Sequence, residues 1–362
     1  MELTKNSKDF KNSKDLKKPN NNTTNNIINI TTNKTNKIPS SISVKRVTYG
    51  PNQFEIPTKD QFIDALELKS LPEKENKLIL TNYEADYDII SIPKRGEWLW
   101  DMKETKQTFK SFNIGIRNQP SKFKNVIYLI NMDTDLKLSF INEEILELLK
   151  TILQLNYPSG VQVKILKEKN ISFTSLKIKY RDSYLTQSQY CAEDTLKALT
   201  AYFPKDGFML LGITSYDIYN SEETNFVFGL ADKMSSTGLF SLARFYDYLK
   251  DYIKDNKELM LNVAYTASKT MVHEVGHLFG IKHCVYFNCR MNGSNSIEEN
   301  LKRSNDFCPV CIRKLWSTLK FDIKNRLIDL GNGLNKLFEK KTEEVNEEIA
   351  WFEKRIMSIM DL

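Results

Sequence analysis

Apolar positions are scarce and aperiodic over residues 1–44, which run through Asn, Lys, Thr and Ser and include NNNTTNNIINITTNKTNK. Such a stretch cannot bury enough apolar surface to offset its chain entropy, and it predicts a disordered tail. From Val47 the pattern becomes globular. Residues 125–130, NVIYLI, form a short unbroken apolar run that predicts a buried strand. A helix follows. Asn142 suits its N-cap, Glu143 and Glu144 its first turn, and Ile145, Leu148, Leu149, Ile152 and Leu153 its apolar stripe, with Pro158 and Gly160 ending it. Val161, Val163 and Ile165 alternate as a strand, and so do Leu176, Ile178 and Tyr180. A second helix is expected over residues 188–202, before Pro204, then a buried strand at 208–213 and further strands at 225–228 and 239–243. Helices set between strands predict an α/β (α+β) fold on a mixed, mostly parallel sheet.

A long helix comes next. Met260, Ala264, Ala267, Met271, Val275 and Leu278 recur at helical spacing, and Thr266, Thr270, His273 and His277 fall on another face. Residues 321–362 read as amphipathic helix, interrupted at Gly331-Asn332-Gly333. The boundaries that follow are a tail at 1–44, an N-terminal part at 45–120, a catalytic region at 121–330 and a C-terminal helix at 331–362.

Composition narrows the partners. Hydrophobic residues make up 41% of 362, enough for a sizeable core, yet no apolar run reaches the roughly 18 residues that a membrane span needs. The net charge is +6, but residues 1–44 hold eight Lys against three acids, so the remainder is near neutral. That argues against nucleic acid as a partner of the globular part. MELTKNSKDFKNSKDLKK contains no apolar core of a secretory leader, so a non-secreted, cytoplasmic or nuclear protein is expected, acting as a monomer.

The chemistry concentrates in His273-Glu274-Val275-Gly276-His277-Leu278-Phe279-Gly280-Ile281-Lys282-His283. On a helix, positions i and i+4 share a face, so His273 and His277 can reach one zinc ion. Gly280 stands where the helix should end, and glycine accepts the positive φ that lets the chain turn and bring His283 back as a third ligand. Three protein ligands leave a position for water, whose pKa zinc lowers to about 7, and Glu274 is placed to take the proton as general base. A lone histidine beside an apolar face is usually a core residue. Here all three histidines of the chain fall at ligand spacing.

Four of the five cysteines, Cys284, Cys289, Cys308 and Cys311, crowd into 28 residues. Two pairs suit a closed tetrahedral zinc site. Cys308-Pro309-Val310-Cys311 alone could be a redox pair, but the polar residues before it do not form the strand that such a pair needs. Cys191 has no companion and reads as a core thiol. Met291, eight residues past His283, suits a methionine turn beneath the metal.

At these residues the sequence resembles the archaemetzincins. HEVGHLFGIKHCVYFNCRM followed by CPVC is similar to that family's signature, as are GITSYDIYN, NFVFG with SLARF, and GEWLWDMKETKQTF, so the resemblance covers about residues 95–330. It implies a metzincin-like zinc-peptidase domain with a small zinc-bound C-terminal part, two zinc ions (one catalytic, one structural), a peptide or protein substrate, and residues 239–243 as the edge strand that pairs with it. Arg244, Asp217 and Tyr286 are candidates for transition-state contacts and serve equally well as structural residues. Two other functions compete. A zinc-stabilised protein- or peptide-binding module with vestigial peptidase activity would not need Glu274. A zinc deaminase would carry H-x-E and P-C-x-x-C, whereas Glu274 directly follows His273 and Pro309 lies inside its cysteine pair.

Overall fold

The computed structural model describes residues 48–362 except 135, 138, 169–170, 224, 339–341 and 361. The tail expected at 1–44 lies outside them. Among the described residues eight strands form two sheets. β1 (Val126–Asn131), β2 (Gln162–Ile165), β5 (Gly207–Thr214), β7 (Gly229–Asp232) and β8 (Thr237–Ser241) make the larger one, in the order β2-β1-β5-β8-β7. Its pairs are parallel except β7 with β8. β3 (Tyr180–Ser183), β4 (Gln187–Cys191) and β6 (Asp217–Tyr219) make the smaller one, ordered β3-β4-β6.

Successive residues point to opposite faces of a strand, so the large sheet separates two cores. Ile127, Leu129, Met209, Leu211, Ile213 and Phe240 face the helices Glu143–Asn156 and Asn256–Leu278. Ile130, Leu210 and Leu239 face the other way, toward Phe173, Tyr190 and Leu196. The first helix is capped as its sequence requires, Asn142 accepting from the Ile145 amide at 2.9 Å.

Several expectations need correction. The helix expected at 188–202 begins only at Ala192, because residues up to Cys191 pair with β3 and β6. The alternation at 176–180 belongs to a turn, and pairing starts at Tyr180. Residues 225–228 contribute a single bridge, Val227 to Ile218, ahead of β7. The strand expected at the edge is interior: β8 lies between β5 and β7, and β7 is the edge. The carboxylate of Asp232 accepts from the Met234 and Ser235 amides, and this turn folds β7 back along the outside of β8. The helix Ile323–Leu337 runs unbroken through Gly331-Asn332-Gly333. Those glycines permit close approach: a Cβ on Gly333 would overlap Leu155, and one on Gly331 would meet Phe352 at 3.3 Å.

Candidate active site

The helix Asn256–Leu278 starts at an Asp255 cap and carries His273, Glu274 and His277 in its last two turns. Gly280 ends it with φ +94°. There a Cβ would crowd Arg117 and the Ile116 carbonyl. The Ile281 amide reaches back to the Gly276 carbonyl at 3.0 Å, and Gln107 holds the turn from outside, donating to the Gly280 carbonyl and accepting from the Lys282 amide. This reversal brings His283 against its partners. Ring centroids are 4.5 Å apart for His273–His277, 4.7 Å for His277–His283 and 5.3 Å for His273–His283.

Each imidazole has its Nδ1 on an oxygen. His273 Nδ1 lies 2.8 Å from the Arg290 carbonyl, His277 Nδ1 2.6 Å from the Ile281 carbonyl and His283 Nδ1 2.6 Å from Glu104 Oε1. Such acceptors require the proton on Nδ1 and free the Nε2 lone pair. The Nε2 atoms of His273 and His277 are 2.9 Å apart. Burial holds the pKa of His273 well below the ordinary value and takes that of His277 down to about 3, so these rings are neutral and their lone pairs free to donate. Two lone pairs facing at that distance repel unless a cation lies between them, and this donor set suits zinc.

Glu274 projects beside the group. Burial pushes its carboxyl pKa up, opposed by His283 and Arg303. β7 passes alongside, so that a Cβ on Gly229 would come within 3.4 Å of Glu274 Cγ. Below the helix, Met291 is fully buried, and its sulfur would be 2.5 Å from a Cβ on Gly276. The Met291 carbonyl accepts from the Cys284 amide at 2.7 Å, tying this turn to the chain just beyond His283.

Cys284, Cys289, Cys308 and Cys311 are all buried and their sulfurs lie within 4.8 Å of one another, as do the ligating atoms of the three histidines. Cys289 Sγ accepts from the Met291 and Cys308 amides at 3.4 and 3.2 Å. Burial pushes the Cys289 and Cys308 thiols well above their usual range, while hydrogen bonds from the other thiols outweigh burial and hold Cys284 well below its own, so ionising more than one of the set calls for a cation. The adjacent His283 and Cys284 face different clusters.

Other candidates fall elsewhere. Arg244 pairs with Asp217 at 2.8 and 2.9 Å and stacks 3.4 Å over Phe226, so both side chains brace β6. Tyr286 is buried and lines a pocket with Tyr83 and Phe287, and Cys191 is buried. Glu104 and Trp98 escape sequence reasoning, although both lie in the GEWLWDMKETKQTF stretch. Trp98 packs edge-on against His283 at 4.8 Å and donates to Glu104 Oε1 at 2.7 Å. Glu104 in a loop and Trp98 in a single helical turn belong to no periodic run, so local pattern gives no signal for them.

A model of Peptidase family M54 matches residues 126–317. The chain belongs to this family, the archaemetzincins. It is 31% identical over 266 residues to archaemetzincin-2 of Mus musculus, covering 66% of this chain and 72% of that protein. It is 35% identical over 162 residues to the archaemetzincin of Pyrococcus furiosus, covering 44% and 79%. A solved archaemetzincin from Methanopyrus kandleri shares 25% identity, with a TM-score of 0.40 over 56% of this chain and 99% of that one. This member of family M54 is accordingly a zinc-dependent metallopeptidase. Among its described residues no helix is long and apolar enough to cross a membrane.

Proposed function

We propose that this peptidase hydrolyses peptide bonds with His273, His277 and His283 holding the catalytic zinc and Glu274 as general base. The observation that carries the reading is the convergence of three imidazoles, each with its Nδ1 on an oxygen acceptor. A zinc ion held there would polarise the scissile carbonyl and lower the pKa of water at its open position to about 7. Glu274 takes the proton of the attacking water and passes it to the leaving amine. A carboxyl raised by burial is a stronger base for that step. The edge of β7 beside Glu274 offers main-chain hydrogen bonds to a substrate in extended form. The four cysteines hold a second, structural zinc.

The competing reading, a binding module with a vestigial site, would not need a carboxylate at 274. Glu274→Gln separates the two. The general-base reading expects unchanged zinc content and melting temperature, with hydrolysis of a mapped peptide pool reduced about 10²–10⁴-fold. Wild-type rates in the variant would remove Glu274 from the mechanism.

A further inference from the structure

The turn that returns His283 to its partners is clasped by one side-chain amide. Gln107 Nε2 donates to the Gly280 carbonyl at 3.0 Å, and Gln107 Oε1 accepts from the Lys282 amide at 2.9 Å. The same oxygen accepts a second bond, from Lys314 Nζ at 3.1 Å. An ammonium only donates, so it holds Oε1 toward itself and leaves Nε2 for the Gly280 carbonyl.

Lys314 is an unusual group to stand there. It is 2% exposed, and among the described residues Gln107 is the one partner of its ammonium. Burying a charge without a carboxylate is costly, so an apolar side chain of like size would serve better if packing were the whole task of this residue. Lys314 belongs to the helix Pro309–Leu319, whose N-cap is Cys308 and whose first turn carries Cys311. It follows Cys311 by three positions, so the two share a face of that helix. Four thiolates closed on one zinc ion would keep a net negative charge, which is the counter-charge that Lys314 otherwise lacks. The neighbouring Arg313 seats the same helix on the chain just beyond Gln107, its guanidinium 3.5 Å over the Phe109 ring. The helix of the cysteine cluster thus reaches the turn before His283 through residues 107–109, a route separate from the peptide link between His283 and Cys284.

We propose that Lys314 is a positioning residue for the third histidine: acting through Gln107, it fixes the turn that presents His283 to the helix that carries Cys311. The inference rests on the peptidase reading above, in which His283 binds zinc, and adds to it a residue that acts at one remove from the ligands.

The full chain is titrated with zinc against a chelating dye, and the site that His283→Ala weakens is taken as the histidine site. Its geometry is followed in the cobalt-loaded chain, where its visible bands lie apart from the thiolate charge-transfer bands of the cysteine site. Lys314→Met, apolar and of similar length, should weaken zinc at the histidine site about ten- to a hundredfold and change its cobalt bands, while the thiolate bands stay. Gln107→Met should do the same, and the double variant should bind no more weakly than the weaker single one, because a single route carries both effects. Losses that add, or wild-type affinity and bands in Lys314→Met, overturn the proposal. Should Lys314→Met melt low with both sites filled, Lys314→Arg decides in its place, since it keeps a charged donor for Gln107: affinity near wild type supports the link, and a loss as large as that of Lys314→Met makes residue 314 a packing residue only. Wild-type zinc binding in His283→Ala would instead sink the peptidase reading at its third ligand, and the proposal with it, whereas a weak His283→Ala beside an unaffected Lys314→Met ends the proposal alone.

Discussion

Glu104 shows how much of the proposed metal centre would rest on residues that are not ligands. Its carboxylate accepts from His283 Nδ1 at 2.6 Å and from Trp98 Nε1 at 2.7 Å, which fixes both the tautomer and the tilt of the third histidine. Burial alone would raise its pKa, but the hydrogen bond and charge of His283, with the bond from Trp98, outweigh burial and hold it below the usual carboxylate range. His273 and His277 sit on a helix and use main-chain carbonyls, whereas His283 lies beyond the helix and depends on a side chain. Glu104→Gln should therefore weaken zinc at the histidine site and lower hydrolysis by about 10–100-fold, with little change in melting temperature. Competition with a zinc-binding dye would measure the first effect, and affinity equal to wild type would show that the Glu104 charge is dispensable. Nothing in the sequence pairs residue 104 with residue 283; the histidine spacing could be read because a single helix turn fixes it.

The active-site helix is where an amphipathic reading falls short. Its apolar stripe is legible and, apart from the half-buried Met260, buried, but Thr266, Ser268, Lys269 and Thr270 are buried too. Asn300 meets Thr270, donating to its hydroxyl, and Lys269 is met by the last helix, Glu343–Ser358, which lies beyond the stretch matched by the family model. Glu348 on that helix takes Lys269 at 3.0 Å, the Tyr265 hydroxyl and, at 3.5 Å, Arg290. The carbonyl of Arg290 is the acceptor for His273. A C-terminal element thus grips both the helix and the turn that orient the first histidine. Removing one partner from a buried charge cluster typically costs about 3–5 kcal/mol because it strands the other. Glu348→Ala should lose stability of that order in denaturant unfolding, and its hydrolysis should fall with it. A variant as stable as wild type would mean that Lys269 is satisfied by Glu344 alone.

At the scale of the molecule, two clusters of residues able to ligate a metal share one short piece of chain. His283 belongs to one and Cys284 to the other, while the Cys284 amide donates to the Met291 carbonyl under the helix. Closing the cysteine site pins the backbone that presents His283, so Cys311→Ser, remote in sequence from every histidine, should reduce bound zinc from two ions to one or fewer. Melting temperature and hydrolysis should drop together, since a structural zinc contributes about 10–16 kcal/mol in small domains. Mass spectrometry of the intact chain, with a melting curve and a hydrolysis assay, checks this, and two retained ions with full activity would uncouple the sites. Short-range order was legible in the sequence by itself: the i, i+4 histidines, the glycine turn after them, the paired cysteines, the capped helix at 142 and the central strands. Each depends on neighbours within a few residues, where backbone geometry leaves little choice. The tertiary structure alone decided that β7 is the edge, that Gly331 and Gly333 lie inside a packed helix, and that Glu104 and Arg290 orient histidines. Those features join residues dozens to hundreds of positions apart, where packing and the need to satisfy buried charge fix the partners and local pattern is silent.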